Sequence, residues 1–215
     1  MSSISSANVR KQLGLCAAAM AGVAAVSGEA KAVLVTTNEN TVLPVPQTLA
    51  GVYLNFITGA TGTSGASTAG WDFNPYNTAS GLGIYWNPAT VGGLRGAGVA
   101  TAPASVVYAD LAPGSVIDAT SPFTSSIQGT SLNYRNTGSK FLGVRFVNEG
   151  TGAMNFGYVK IDTTATTGFP ATINGWVYDD SGAGVTIPPI PEPSTGLLAL
   201  AGGALAVRRW RGKAA

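Results

Sequence analysis

Through residues 33–189 the apolar positions recur at every second residue in short runs. No window of about eleven residues or more carries them at the i, i+3, i+4 spacing of an amphipathic helix. A chain written with period two and interrupted by Gly, Pro, Asn or Ser buries its apolar side as strands of antiparallel sheets. In residues 140–147, Leu142, Val144 and Phe146 alternate with Gly143 and Arg145, which predicts a strand with one buried and one wet face. Residues 154–162 are a second β-rich run, separated from the first by Asn148-Glu149-Gly150-Thr151-Gly152, whose glycines supply the positive φ of a hairpin turn. A third run, residues 172–178, presents Trp176 and Tyr178 on one face and ends at the turn signal Asp179-Asp180-Ser181-Gly182. The three predict an antiparallel meander.

Upstream, residues 52–57 place Val52, Leu54 and Phe56 on one face, and shorter strands are expected at 70–73, 83–86, 104–108, 123–127 and 131–134. Residues 58–70 are low in complexity and read as a mobile loop, residues 187–193 as an extended Pro-rich stalk. Many short strands with Gly/Thr/Ser loops point to an all-β fold, a two-sheet antiparallel sandwich, jelly-roll-like, spanning residues 33–187.

The composition removes much chemistry. The 215 residues include no histidine and one cysteine, and only 10% are charged. Most zinc sites, imidazole-dependent triads and histidine pH switches are thereby excluded. No G-x-S-x-G elbow, Walker loop or dinucleotide fingerprint is present, so nucleophilic hydrolysis and phosphate cradling lack a motif. No cofactor is implied.

The two ends differ from the middle. Arg10 and Lys11 precede an apolar run of about fourteen residues, Leu13 to Val26, the length of a secretory signal core and short of a membrane span. Ala30 and Ala32 are the small residues a signal peptidase accepts, so residues 1–32 read as a signal peptide with Val33 as the new start. Cys16 lies inside it, leaving the exported chain without disulfide or thiol chemistry. At the other end, Pro191-Glu192-Pro193 leads into an uncharged Leu/Ala/Gly segment and then Arg208, Arg209, Arg211 and Lys213 around Trp210. As a helix this apolar segment reaches about 20 Å against a hydrocarbon core of about 30 Å. It reads as a brief transmembrane helix whose basic cluster stays cytoplasmic, leaving the rest of the chain outside. With both ends removed, Arg95, Arg135, Lys140, Arg145 and Lys160 face nine acids, a net charge of about −4 that gives nucleic-acid binding no electrostatic basis.

The Pro-Glu-Pro motif, short apolar helix and Arg-rich end of residues 188–215 resemble the PEP-CTERM sorting signal of Gram-negative bacteria. The resemblance implies an exosortase as processing partner, an inner-membrane cysteine transpeptidase that cleaves near the motif and releases the protein toward the cell surface. It implies passage through signal peptidase and a transient stay in the inner membrane. Members of the class are often linked to exopolysaccharide and biofilm matrix. Residues 140–182 are also similar to a strand block recurrent in such surface proteins, which implies the same sandwich. The tail defines a destination rather than an activity.

For the domain itself three functions compete. A structural or adhesive element of the envelope or extracellular matrix, with no enzymatic activity, is the primary expectation. A carbohydrate-binding module of the exopolysaccharide matrix is the alternative, with Trp71, Tyr76, Tyr85 and Trp86 as glycan contacts flanked by Asn74, Asn77 and Asn87. Sugar rings offer apolar C–H faces to aromatic side chains, although core packing is the commoner use of Trp71 and Phe73. A glycan hydrolase or lyase is the third. It requires a carboxyl pair, and among Asp72, Asp110, Asp118, Glu149, Asp162, Asp179 and Asp180 no pair is legible. Asp72, Asn74 and Asn77 are oxygen donors spaced closely enough for a calcium site, unless Asn74-Pro75 simply makes a turn.

Overall fold

A computed structural model describes residues 34–37 as backbone and residues 42–129 and 131–189 in full. The signal-cleavage residues Ala30 and Ala32, the motif Pro191-Glu192-Pro193 and the basic cluster Arg208, Arg209, Arg211 and Lys213 lie outside the described residues. Within them the protein is all-β. In chain order the strands are β1 Leu34–Thr37, β2 Leu43–Val45, β3 Tyr53–Leu54, β4 Thr61–Gly62, β5 Phe73–Thr78, β6 Gly81–Trp86, β7 Thr90–Val91, β8 Leu94–Arg95, β9 Ala97–Gly98, β10 Val116–Ile117, β11 Gln128–Gly129, β12 Gly138–Asn148, β13 Ala153–Thr163, β14 Ala171–Asp179 and β15 Val185–Thr186.

Two sheets dominate, and every pairing in them is antiparallel. One is six-stranded, in the order β1-β14-β13-β12-β9 with β2 also pairing with β14, and the other is five-stranded, β11-β6-β5-β3-β4. The meander expected over residues 140–178 forms as β12, β13 and β14, with Leu142 opposite Val159 and Val159 opposite Trp176. Gly152 takes φ 67° in the first turn and Gly182 φ 75° after the third strand, the left-handed backbone those turns require. Leu142, Val144, Phe146, Val159, Ile161, Trp176 and Tyr178 from this sheet meet Leu54, Phe73, Leu82, Ile84 and Trp86 from the other in one core. Val52 and Phe56 join them, as alternation predicts. Phe56 bridges the sheets, its ring 5.0 Å from Phe146 and 6.2 Å from Trp176, whose indole Nε1 donates to the Phe56 carbonyl at 2.9 Å. The arrangement is consistent with a β-sandwich.

The opposite face of the six-stranded sheet is not wet, contrary to expectation. A second core covers it: Phe156, Tyr158 and Val177 pack with Val99, Ile117, Val185 and Ile187, joined by Leu111, Phe123, Phe141 and Met154. Gly143 leaves the room for this layer, since a Cβ there would lie 2.6 Å from Val99 and 2.8 Å from Leu111. Arg145 lies 4.7 Å over the Phe123 ring and its Nε donates to the Arg95 carbonyl at 3.0 Å. Lys140 pairs with Asp110 at 2.9 Å. Arg145, the cation that suggested a solvated face, is covered by the chain between β9 and β11.

Several short strands are corrected. Residues 104–108 and 123–127 make only isolated bridges, Ala100 to Tyr108 and Val99 to Phe123. Residues 131–134 form a 3-10 turn, Leu132–Tyr134, whose buried Tyr134 hydroxyl donates to the carbonyls of Ala109 at 2.6 Å and Phe141 at 3.0 Å. The strand expected at 70–73 starts at Phe73 and runs through Asn74-Pro75, so that dipeptide is no turn. Pro75 fits because its carbonyl accepts from Val52 N at 3.1 Å on the side where β3 has ended; no ladder donor is needed there. Ile187, expected in the stalk, is fully buried, its N–H bonded to Ser115 O at 2.9 Å.

Candidate functional site

The four expected glycan contacts divide between two environments. Trp86 is 0% exposed in the shared core, and its Nε1 donates to the Tyr108 hydroxyl at 2.8 Å. It cannot touch a sugar, which corrects that assignment. Strand parity is the reason: Phe73 opposite Trp86 points inward, so Asn74 opposite Tyr85 and Tyr76 opposite Gly83 point outward. Trp71, Tyr76 and Tyr85 are partly exposed on that outer face.

Tyr53 joins them. Leu54 pairs with Phe73 and faces inward, which sets Tyr53 outward beside Asn74. The Trp71 and Tyr85 rings stack with centroids 5.5 Å apart and 27° between planes, while Tyr53 meets Trp71 edge-on at 4.8 Å and 87°. Gly83 leaves space under Tyr76, whose ring would lie about 3.0 Å from any Cβ placed there. Burial raises the Tyr76 phenol above its ordinary value, and the neighbouring phenols of Tyr85 and Tyr53 push the same way. The Asn74 amide serves the scaffold, donating to the carbonyls of Ala50 at 2.9 Å and Val52 at 3.0 Å.

Directly beside Trp71 in the chain, Asp72 turns the other way. It is 3% exposed and its Oδ2 accepts from Phe56 N at 2.8 Å. It lines a cavity of about 90 Å³ with Gly70, Asn87, Ala89, Gly96, Val147 and Glu149. Asn55 ties this corner together: its Nδ2 donates to Gly70 O at 2.8 Å, to Ala69 O at 3.0 Å and to Glu149 Oε1. The segment of residues 58–70 is thus held by this amide as well as by the pairing of β4 with β3. Desolvation pushes the Asp72 carboxyl up to about 8; the Phe56 N–H opposes this and the charge of Glu149 adds to it. At pH 7 the shift favours the protonated, uncharged form of Asp72.

Asp72 and Glu149 are two carboxyl groups in one cavity, a meeting of residues far apart in sequence that no local spacing signals. The cavity has room for about three water molecules, well below the roughly 300–1,000 Å³ that encloses a small-molecule ligand. The expected calcium donors do not converge there: Asp72 bonds Phe56, Asn74 bonds the 50–52 segment, and Asn77 lies further along β5, its backbone N–H on Thr48 O at 2.9 Å. Among the described residues no three His, Cys, Asp or Glu side chains group to hold a metal, and no helix is long and apolar enough to cross a membrane. Comparison with protein-family profiles, curated proteins and solved structures gives no match.

Proposed function

We propose that this chain is an exported cell-surface or extracellular-matrix protein, delivered through signal peptidase and freed by an exosortase, whose β domain serves a structural or adhesive role without catalysis. One observation carries the reading: a Pro-Glu-Pro motif, a brief apolar segment and a basic cluster follow one another directly behind a domain with secretory sequence ahead of it. The last described strand, β15, pairs with β10, and Ile187 is held by Ser115. A cut near residues 191–193 therefore leaves every described core residue in the domain. We read the domain as a jelly-roll-like two-sheet sandwich, supported by the four crossings between sheets at β2–β3, β6–β9, β9–β11 and β11–β12.

The test is cellular. Replacing Pro191-Glu192-Pro193 by three alanines is expected to leave the protein in the inner membrane with its tail attached, while the parent chain appears outside lacking Arg208 to Ala215. Mass spectrometry of released material reads both outcomes, and normal release of the variant, or intact tails on the released parent, overturns the proposal.

A second reading, a carbohydrate-binding domain in an exopolysaccharide matrix, is favoured by the partly exposed group of Tyr53, Trp71, Tyr76 and Tyr85. It is compatible with the same export route.

A further inference from the structure

We propose that the outer face of the five-stranded sheet is a binding platform for an uncharged polysaccharide, with Tyr53, Trp71, Tyr76 and Tyr85 as the contacting residues. The proposal rests on the second reading above and adds to it a place and a class of ligand.

The first argument is the contrast between core and platform tyrosines. The hydroxyls of Tyr108 and Tyr134 are saturated inside the protein: Tyr108 accepts from Trp86 Nε1 at 2.8 Å and from Gly129 N at 2.7 Å, and Tyr134 donates to two carbonyls. No hydrogen bond within the described residues engages the hydroxyls of Tyr53, Tyr76 or Tyr85 or the indole N–H of Trp71, and none of these atoms is sealed from solvent. Four aromatic rings thus share one surface with four polar tips that no described residue hydrogen-bonds. A sugar ring presents an apolar C–H face bordered by hydroxyls, which answers both features: ring against ring, hydroxyl against phenol or indole N–H.

The second argument is rigidity. Trp71 and Tyr85 stack, Tyr53 is wedged edge-on, and Tyr85 is flanked by Asn74 on β5 and Gln128 on β11. Two-torsion side chains already fixed against one another lose little entropy on binding.

The third argument is charge. Arg95 and Arg135 donate to backbone carbonyls, Lys140 pairs with Asp110, Arg145 lies over Phe123, and Lys160 belongs to the other sheet. None of these contacts is with a side chain of the platform. With acids exceeding bases in the domain, an anionic polysaccharide meets net repulsion, whereas a neutral glycan needs only the rings and tips present.

Affinity electrophoresis of the full chain tests this, in native gels containing dextran, hydroxyethyl cellulose or galactomannan, with alginate as the anionic comparison. The expected result is retardation by at least one neutral polysaccharide, weakened by about tenfold or more in Trp71→Ala and Tyr76→Ala and by about threefold in Tyr85→Phe, which removes only a hydroxyl. Melting temperatures of the variants verify folding; should Trp71→Ala unfold, Tyr76→Ala and Tyr85→Phe carry the test. Unchanged mobility in every neutral gel, or retardation by alginate alone, overturns the proposal. Retardation that all three variants retain overturns this platform while leaving the carbohydrate-binding reading intact; no retardation in any gel overturns both.

Discussion

Asp72 occupies a position where a charge is expensive, since its carboxyl is almost fully buried and shares a cavity with Glu149. Its native value near 8 lies above the ordinary 3.8, so the native state holds a proton that the unfolded chain releases. The stability this gives is complete below about pH 4 and is lost progressively up to about pH 8, a change on the order of 5 kcal/mol. Above that window both states are ionised and the term is constant. Asp72→Asn keeps an acceptor for the Phe56 N–H and cannot ionise. Urea denaturation from pH 4 to pH 9 is expected to show the variant losing much less stability with rising pH than the parent; parallel profiles would refute the assignment of the proton to Asp72. Trp71, Tyr76 and Tyr85 were legible from the sequence as aromatic residues near amides. Strand parity decided that Tyr76 and Tyr85 face out and Trp86 in, whereas Trp71 lies ahead of β5, which begins at Phe73 rather than at residue 70, and so does not share the inward parity of Phe73.

At the scale of elements, β12, β13 and β14 are the part of the fold most plainly written in the sequence, because eleven- and nine-residue strands give alternation room to repeat. Two-residue strands such as β3, β9 and β11 carry no such signal, and their pairing comes from the neighbours they meet. Alternation also misled on one point. Gly143 and Arg145 marked a solvated face, yet that face is covered, with glycine serving as the floor of a second layer. Gly143→Val would drive its side chain into Val99, Leu111 and Ile117, atoms within 2.9 Å of the new Cβ. The expected cost is about 1–3 kcal/mol, read by urea denaturation. Faster hydrogen exchange is expected at the amides of Val99 and Leu111, which bond Gly143 O and Phe141 O, with little change at Val159 in the centre of the meander. Uniform loss of protection across both layers would contradict a locally displaced cover.

Across the described residues, the two faces of the six-stranded sheet define a layered order: five-stranded sheet, shared core, six-stranded sheet, outer cover. The cover is stitched at its start by Val99 N on Gly143 O at 2.8 Å and midway by the Gly114–Ile187 and Ile187–Ser115 backbone bonds. Among the described residues Ile187 is the last buried one, and it stands only a few positions ahead of the Pro-Glu-Pro motif. Ile187→Ala is expected to lower stability by about 2–5 kcal/mol, measured by thermal or urea unfolding, because a fully buried side chain is removed. A change within error would mean that Ile187 belongs to the loose stalk after all.

The sequence by itself determined the secondary-structure class, the three long strands with their turns, and the chemical character of both ends, because these follow from local periodicity, from glycine's backbone freedom and from contiguous runs of charge or apolar residues. Tertiary structure alone decided that Trp86 is core while Tyr53 is surface, that Asp72 meets Glu149, and that the far side of the meander is dry. Those facts depend on contacts between residues dozens of positions apart, and a period-two pattern records that a strand has two faces without recording what comes to lie on either.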